Sequence, residues 1–238
     1  MSRAKNDIGA QFQTKTKYRR GKLPTSTGKV TPALKVYANP LEVAALPDPA
    51  LQGGRDIWST LAKSREHIVE GGRIRQRDLS QILWSSAGFT FNAQRTYLNT
   101  GIVSGIECYL IAIHVEDIFP GIYHFNPRDH SLEYLVRGNP KEDLAATLIT
   151  KPKQSLDACS AFFVFTAVPE RLIDGAKGRA YRYLYLEAGA AAQNAVMSSV
   201  ALDLVGSFHA EFYDDELSRL LQIDGVSEFP VGVVSLGT

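Results

Sequence analysis

The stretch RAYRYLYLEAGAAAQNAVMSSVAL, residues 179–202, decides the fold. It is apolar or small on nearly every side, which is typical of a helix buried on several faces, and it predicts a helix of about 36 Å. Residues 188–192 are four alanines and Gly189, so side-chain bulk is absent over more than one turn. Since a glycine inside a helix costs ~1 kcal/mol relative to alanine, Gly189 indicates close packing. Either a second subunit's helix approaches here, or this is an alanine-rich core helix of a monomer.

Two polar residues follow the small ones within this helix. Gln193 and Asn194 need hydrogen-bond partners if the helix buries them. A structural network inside the chain would satisfy both side chains. Contact with the edge of a bound ligand would satisfy them equally well, so both roles remain open.

The rest of the chain alternates apolar runs with turn signals. Residues 106–114 and 161–168 predict buried strands, and residues 122–125 and 132–136 predict a hairpin around the turn NPRDHS. Two further strands are expected at 205–208 and 229–236, and further helices near residues 55–62, from Asp78 as N-cap, from Pro140 to 149, and over 214–221. Strands and helices mix without a regular βαβ alternation, which predicts the α+β class.

The N-terminal region differs in composition from the rest. Residues 1–35 contain nine Lys and Arg against one acid, Asp7, and show no apolar periodicity. We interpret residues 1–50 as a basic extended arm with a proline-rich linker at 40–49, and residues 51–238 as the folded domain. The arm is either a solvated tail or a segment that wraps a partner or covers a phosphate.

Composition excludes several classes of function. The net charge of +1 argues against general nucleic-acid binding. Cys108 and Cys159 are expected to be reduced core thiols, and no His or Cys pair has the spacing of metal ligands. The longest apolar stretch, 161–168, is too short to span a bilayer, and the first residues lack the apolar core of a signal peptide. We therefore expect a cytoplasmic protein without metal or membrane segments.

Several ordered segments resemble the SagB/ThcOx-type dehydrogenases, which are FMN enzymes of the nitroreductase superfamily. The segments are TKTKYRRGK (14–22), DLSQILWSSAGFT (78–90), GIYHFNPRDHSLE (121–133), RAYRYLYLEAGAAAQN (179–194), LVGSF (204–208) and DDELSRLLQIDG (214–225). The resemblance implies a nitroreductase-like fold: a central, mostly antiparallel sheet flanked by helices, with the long helix at a dimer interface. It also implies FMN bound between subunits.

The same resemblance implies an activity and partners. Enzymes of this family oxidise thiazoline or oxazoline rings to thiazole or oxazole in a ribosomally made peptide. The implied partners are the precursor peptide and the cyclodehydratase subunits, with the chain as a homodimer or paired with a paralogue.

The resemblance also carries candidate flavin-binding residues. The family's clamp for the phosphate, similar to Arg-Arg-Ser-x-Arg, falls on residues 62–66, where Lys63 and Ser64 remain suitable while Ala62 and Glu66 replace arginines. Arg65, one position away, could compensate. The family's second flavin segment falls on residues 98–101, which offer Asn99, Thr100 and Gly101 and lead to Glu107.

Two further positions complete the expected site. Gly206 and Ser207 match the point of the family where the backbone approaches the reactive face of the flavin. A Lys-Tyr pair often precedes the long helix in the family, but residues 175–178 here read Gly-Ala-Lys-Gly, which leaves Lys177 as the candidate base. A solvated surface lysine is the alternative role for Lys177.

Three functions are compatible with these residues. The first is an FMN-dependent dehydrogenase acting on azoline peptides. The second is a degenerate member with little or no flavin that serves as a non-catalytic partner or peptide-binding subunit of the modification complex. A general small-molecule nitroreductase is the third, disfavoured because the basic arm resembles the peptide-modifying branch.

Overall fold

One seven-stranded sheet organises the chain, for which a computed structural model describes residues 7–63, 71–100, 103–149 and 156–238. The order across the sheet is β1-β4-β3-β2-β5-β7-β6, and all neighbouring strands are antiparallel. The strands are β1 Glu42–Ala45, β2 Ile106–Ala112, β3 Gly121–Asn126, β4 Ser131–Arg137, β5 Ala161–Ala167, β6 Val205–His209 and β7 Phe229–Gly237. The predicted α+β class and the mostly antiparallel sheet are confirmed.

Seven described helices flank this sheet. They are α1 Ile8–Lys15, α2 Ile57–Ala62, α3 Gln76–Ala87, α4 Lys141–Thr147, α5 Glu170–Ala176, α6 Ala180–Ala201 and α7 Asp214–Leu220. A 3-10 turn, Lys177–Arg179, joins α5 to α6. No helix within these described ranges has both the length and the hydropathy needed to cross a bilayer.

The two central strands explain why the core has two layers. Every residue of β2 and β5 is buried, as expected for strands covered on both faces. Alternate side chains point to opposite faces, so Cys108 and Leu110 pack with α3 and α6, whereas Ile111 packs with α4 and α7. Both cysteines are buried and neither forms a disulfide, as the sequence indicated.

The long helix is confirmed almost to the residue, because α6 spans Ala180–Ala201. Its buried side includes Leu184, Ala188, Ala191 and Ala195, which recur at helical spacing against the sheet and α3. Asn194 lies within this packing and donates to the carbonyl oxygens of Ser85 (2.9 Å) and Thr96 (3.1 Å). The structural role considered for Asn194 is therefore the one the structure shows.

Residues 7–50 contain more regular structure than the sequence indicated. Residues 8–15 form α1, which Asp7 caps by accepting a hydrogen bond from the Ala10 amide at 2.9 Å. The segment predicted as a linker contains β1, which pairs with β4 at the edge of the sheet. Both elements are short and lack strong periodicity, and partners far along the chain stabilise them. The domain boundary at residue 50 stays a prediction.

Three helix predictions differ in detail. The apolar face of α2 exists but is exposed, with Trp58 at 76% and Leu61 at 56%, whereas Thr60 is buried. Helix α3 begins before Asp78, which accepts a 2.6 Å ion-pair bond from Arg75 in the first turn rather than capping the helix. Helix α4 begins at Lys141, one residue later than expected, so Pro140 is the N-cap residue rather than the first residue of the helix.

Candidate functional site

Gly206 allows β6 to lie directly against α6. A Cβ at this position would overlap the Ser199 hydroxyl and come within 3.2 Å of the Val196 Cα, so only glycine fits. Beside this contact lies a cavity of about 120 Å³. Its lining residues are Gly189, Ala192, Gln193, Val196, Gly206 and Phe208. The predicted position Gly206 thus meets the small-residue face of α6, and Ser207 follows on the same strand.

One side of α6 is open to solvent in the single chain. Leu186 is 59% exposed, and nothing lies within 4 Å of where a Cβ on Gly189 would be. Gln193, one further turn along the same side, is also exposed. These residues lie at helical spacing, so a flat ring or a second helix can approach the backbone of α6 here.

Glu187 fixes the segment that carries Asn99 and Thr100. This carboxylate is fully buried within α6. Its Oε1 accepts from the Thr100 amide (2.9 Å) and hydroxyl (2.8 Å), and its Oε2 accepts from the Ser104 hydroxyl and the Gly105 amide, both at 3.1 Å. The candidate flavin segment is therefore held against the middle of the long helix by one side chain, which our sequence reasoning missed.

The two lysines of the predicted site lie at opposite ends of α6. The Lys63 ammonium is 3.9 Å from the Asp203 carboxylate, just after the helix ends. Lys177 precedes the helix, is about half exposed, and lies 3.8 Å from Asp174. Because α6 has 22 residues, its ends are about 33 Å apart. One chain therefore does not bring Lys63 and Lys177 together.

Some predicted residues cannot be placed. Ser64 and Gly101 lie outside the described residues, as do Arg65 and Glu66. Lys177 lies in a helical junction between α5 and α6, where its backbone has a φ of 52°. The roles assigned to all eight site residues stay predictions.

A cleft of about 1190 Å³ opens between the arm, α3 and the β3–β4 hairpin. Asn99 lines it, together with the aromatic side chains of Trp84 and Phe89. Arg95 also lines it; its Nη1 donates to the Ala87 carbonyl oxygen at 2.5 Å and its guanidinium lies over the Phe89 ring. The Arg95 Nη2 is buried and has no hydrogen-bond partner among the described residues.

A buried cluster of charged residues lies under the arm, on the sheet face opposite α6. His124 stands between two carboxylates, with Nδ1 2.7 Å from Glu133 and Nε2 3.2 Å from Glu107. Arg171 pairs with the other oxygen of Glu107, which also accepts from the Lys35 amide at 2.8 Å. The cluster holds the arm to the sheet and to α5.

A second half of the cluster centres on Glu228. Its carboxylate accepts from the Lys35 ammonium (2.6 Å), the Tyr109 hydroxyl (2.9 Å) and the Thr166 hydroxyl (2.6 Å). Three carboxylates thus face Lys35, Arg171 and His124. The charges balance when His124 is protonated, which is how a buried ionic cluster remains tolerable.

The pKa values follow from this arrangement. Burial opposes ionisation of Glu107, but the hydrogen bonds and charges of His124 and Arg171 outweigh it and lower its pKa to about 2. Burial also opposes the charged form of His124, but the two flanking carboxylates outweigh it and raise the pKa of this imidazole. Glu107 is therefore ionised at neutral pH, and the charged form of His124 persists to a higher pH than that of an ordinary histidine.

These shifts predict a two-sided pH dependence of stability. Glu107 contributes stability that is present above its ordinary pKa of 4.5 and is lost as the pH falls toward 2. His124 contributes stability that is fully present below its ordinary pKa of 6.5 and is lost as the pH rises through its higher folded pKa. We expect the melting temperature to fall on the acid side, as Glu107 is protonated, and on the alkaline side, as His124 loses its proton. A Tm unchanged on the alkaline side would contradict the protonated state of His124, and His124→Gln should remove that limb.

Sequence comparison identifies a family over part of the chain. Residues 126–238, just under half of the chain, match the nitroreductase family. The chain is also 27% identical over 163 residues to "Putative nitroreductase MJ1384" of Methanocaldococcus jannaschii, covering 68% of this chain and 79% of that protein.

Solved structures share the fold over most of the chain. Two solved structures of putative nitroreductases, from Ralstonia eutropha and Anabaena variabilis, superpose on this chain with TM-scores of 0.68 and 0.71, both at 21% identity. They cover 90% and 96% of this chain, which spans 96% of the first structure but only 46% of the second. A chain of the E. coli microcin synthetase McbBCD complex with truncated pro-MccB17 bound gives a TM-score of 0.64 at 22% identity, over 86% of this chain and 84% of that one. These structures show that the fold is nitroreductase-like.

Proposed function

We propose that this chain is an FMN-dependent oxidoreductase that oxidises thiazoline or oxazoline rings to thiazole or oxazole in a ribosomally made peptide. Within a nitroreductase-like fold, the observation that carries this proposal is the open small-residue side of α6. Gly189 leaves space above the helix, Gly206 brings β6 close behind it, and Glu187 holds the Thr100 segment beside it. The proposed location is the cytoplasm.

The described residues fit one half of a flavin site. Gly189 and Gly206 leave the backbone accessible to a flat ring, and Gln193 offers amide donors at its edge. Lys63 supplies a cation for the phosphate, although Asp203 shares its charge. The other half would come from a second subunit. If α6 packs against its own copy across a perpendicular two-fold axis, the Lys177 end of one helix lies beside the Lys63 end of the other.

The chemistry divides between the cofactor and the chain. A bound FMN would supply the acceptor for the hydride that the azoline ring loses as it becomes aromatic. The chain must remove the accompanying proton from a ring carbon, and the neutral amine of Lys177 is the group proposed to accept this proton. The Lys177 side chain lies 3.8 Å from the Asp174 carboxylate, so it must leave this contact to reach a bound substrate.

The proposed partners are the precursor peptide and the cyclodehydratase subunits. The structural neighbour in the McbBCD complex supports this proposal, because that complex is a microcin synthetase with a truncated pro-peptide bound. The half-site of this chain is the same whether the second subunit is a copy of this chain or a paralogue.

A specific observation also favours the second function, a flavin-poor partner subunit. The cation at Lys63 lies near a carboxylate that Arg55 binds as well, and position 62 is the exposed alanine Ala62. Among the described residues, a phosphate would therefore meet two cations, Lys63 and Arg55, whose charges Asp203 already engages. Such a chain would bind its partner through α2 and α6 without holding FMN.

Gly189 provides a direct test. Gly189→Leu places a side chain in open space of the single chain, so we expect normal folding and thermal stability but loss of dimer and of bound FMN. The control is Gly175→Leu, which is also helical and open but lies on α5, away from the interface. Flavin absorbance and size-exclusion chromatography measure both properties. Retained FMN in a dimeric Gly189→Leu variant would contradict the proposed half-site.

The unsubstituted chain separates the two functions. A yellow dimer that releases FMN on denaturation supports the oxidoreductase. A colourless chain that does not retain added FMN supports the partner subunit, provided that it forms a heteromer with an intact paralogue when the two are co-expressed.

A further inference from the structure

A concentrated basic surface forms where the arm meets the start of α6. We call it the arm–helix surface and define it by eight cationic residues: Lys15, Lys17, Arg19, Arg20, Lys22, Lys177, Arg179 and Arg182. The chain as a whole has a net charge of +1, so this surface departs strongly from the average. Its arm residues are exposed, and they contribute no ion pair within the described residues.

Specific contacts hold the arm against the helix. The Arg182 guanidinium donates to the Thr16 hydroxyl (2.8 Å) and to the Gln13 carbonyl oxygen (2.7 Å). The Arg179 guanidinium lies 4.7 Å from the centre of the Tyr18 ring and donates to the Thr16 carbonyl oxygen at 3.3 Å. Folding therefore brings like charges together and fixes them, which costs electrostatic free energy that a partner of opposite charge would recover.

The neighbouring acids do not neutralise this surface. Asp7 is used as the cap of α1. Asp174 accepts hydrogen bonds from the Thr27 amide (3.0 Å), the Thr27 hydroxyl (2.6 Å) and the Gly28 amide (3.1 Å). These bonds, with one from Ser26, hold the pKa of Asp174 well below its usual range, and its contact with Lys177 is long at 3.8 Å.

Tyr183 lies within this surface, beside Arg179. Its hydroxyl lies 3.4 Å from the Tyr18 hydroxyl and accepts from the Arg179 guanidinium at 3.2 Å. The hydrogen bond with Tyr18, followed by the charges of Arg179 and Arg182, lowers the pKa of Tyr183.

We propose that the arm–helix surface binds an acidic segment of a polypeptide. This inference rests on the proposed function in one respect, that the polypeptide is the peptide substrate, whose bound segment would lie beside the candidate base Lys177. The charge is local, which suits a short acidic segment rather than a long nucleic acid. Exposed apolar side chains border the cations, with Ile8 at 83% and Tyr18 at 40% exposure, and they provide contact for the apolar residues of a peptide.

The probe for this site is a fluorescein-labelled peptide of alternating glutamate and alanine, with binding followed by fluorescence anisotropy. We expect binding at about 50 mM salt that weakens steeply toward about 300 mM, because exposed charges are screened. The double variant Arg19→Glu with Arg20→Glu should weaken binding about tenfold or more without changing Tm, since neither side chain contributes an ion pair or hydrogen bond within the described residues.

The matched control reverses the same number of charges elsewhere. Arg73→Glu with Arg77→Glu, near the start of α3, should leave binding within about twofold of the unsubstituted chain. Equal binding by both double variants, or the absence of binding at low salt, would overturn the proposal. Tighter binding of a single-stranded oligonucleotide of equal charge would overturn the assignment to a polypeptide.

This test is independent of the flavin. Binding is measured on the chain with and without added FMN and on the Gly189→Leu variant. A flavin-free chain that still binds the acidic peptide would contradict the oxidoreductase while supporting this surface. A flavin-loaded chain that does not bind the peptide would do the reverse.

Discussion

Replacing Glu187 by alanine is expected to lower the free energy of unfolding by about 3–5 kcal/mol. The carboxylate is fully buried and accepts four hydrogen bonds from residues 100–105. Its removal leaves the Gly105 amide and the Ser104 hydroxyl buried with fewer partners, and each unsatisfied group costs about 1–3 kcal/mol. Urea unfolding followed by circular dichroism measures the change.

Two further variants identify the cause of that loss. Glu187→Gln keeps the shape and one acceptor oxygen, so it should lose less stability than the alanine variant. Gln193→Ala changes an exposed residue of the same helix and should fall within about 0.5 kcal/mol of the unsubstituted chain. A Glu187→Ala variant as stable as Gln193→Ala would show that the carboxylate does not anchor the Thr100 segment.

Replacing Arg171 by methionine should destabilise the chain by about 3–5 kcal/mol, because it leaves the Glu107 carboxylate buried without its guanidinium. The Arg171 side chain is 3% exposed and that of Glu107 is 1% exposed. The Arg171 Nε also donates to the Pro32 carbonyl oxygen at 2.9 Å, so the arm should become more accessible. Chemical denaturation measures the first effect, and limited trypsin cleavage after Lys29 measures the second.

A double-mutant cycle separates the ion pair from general packing. Glu107→Gln combined with Arg171→Met removes both charges, so the double variant should lose less than the sum of the two single changes. Additive losses would mean that the two groups do not interact energetically. Arg137→Met, an exposed residue at the end of β4, is the control and should change stability little.

Local patterns predicted most of the fold. The long helix, the two buried strands and the β3–β4 hairpin were all expected from periodicity and turn chemistry, because these signals lie within ten to twenty residues. The exposure of the apolar face of α2 was not predicted, since the sequence pattern of an apolar helical face is the same whether that face is buried or exposed. Its outward direction depends on contacts far away in the chain.

The candidate site was predictable only as a set of positions. Gly206 was expected to permit a close backbone approach to the flavin, which stays a prediction; the structure shows that it permits β6 to lie close to Ser199 and Val196 of α6. Glu187 and the Glu107–His124–Glu133 cluster were missed as anchors. The available signal was a charged residue inside an otherwise apolar helix or buried strand, which requires a partner. The identity of that partner depends on tertiary contacts that no local pattern contains.

The contact of Lys35 with Glu228 has a consequence for how the chain folds during synthesis. The two residues are 193 positions apart, so the arm leaves the ribosome long before its carboxylate partner exists. The edge strand β1 can pair earlier during synthesis, because its partner β4 follows it by fewer than one hundred residues. The buried charges therefore balance only after β7 is added, and contacts of such long range are formed slowly. A chain interrupted before Glu228 would leave Lys35 and Glu107 in an incomplete cluster. We therefore expect the arm to pack stably on the sheet only after synthesis has passed Glu228.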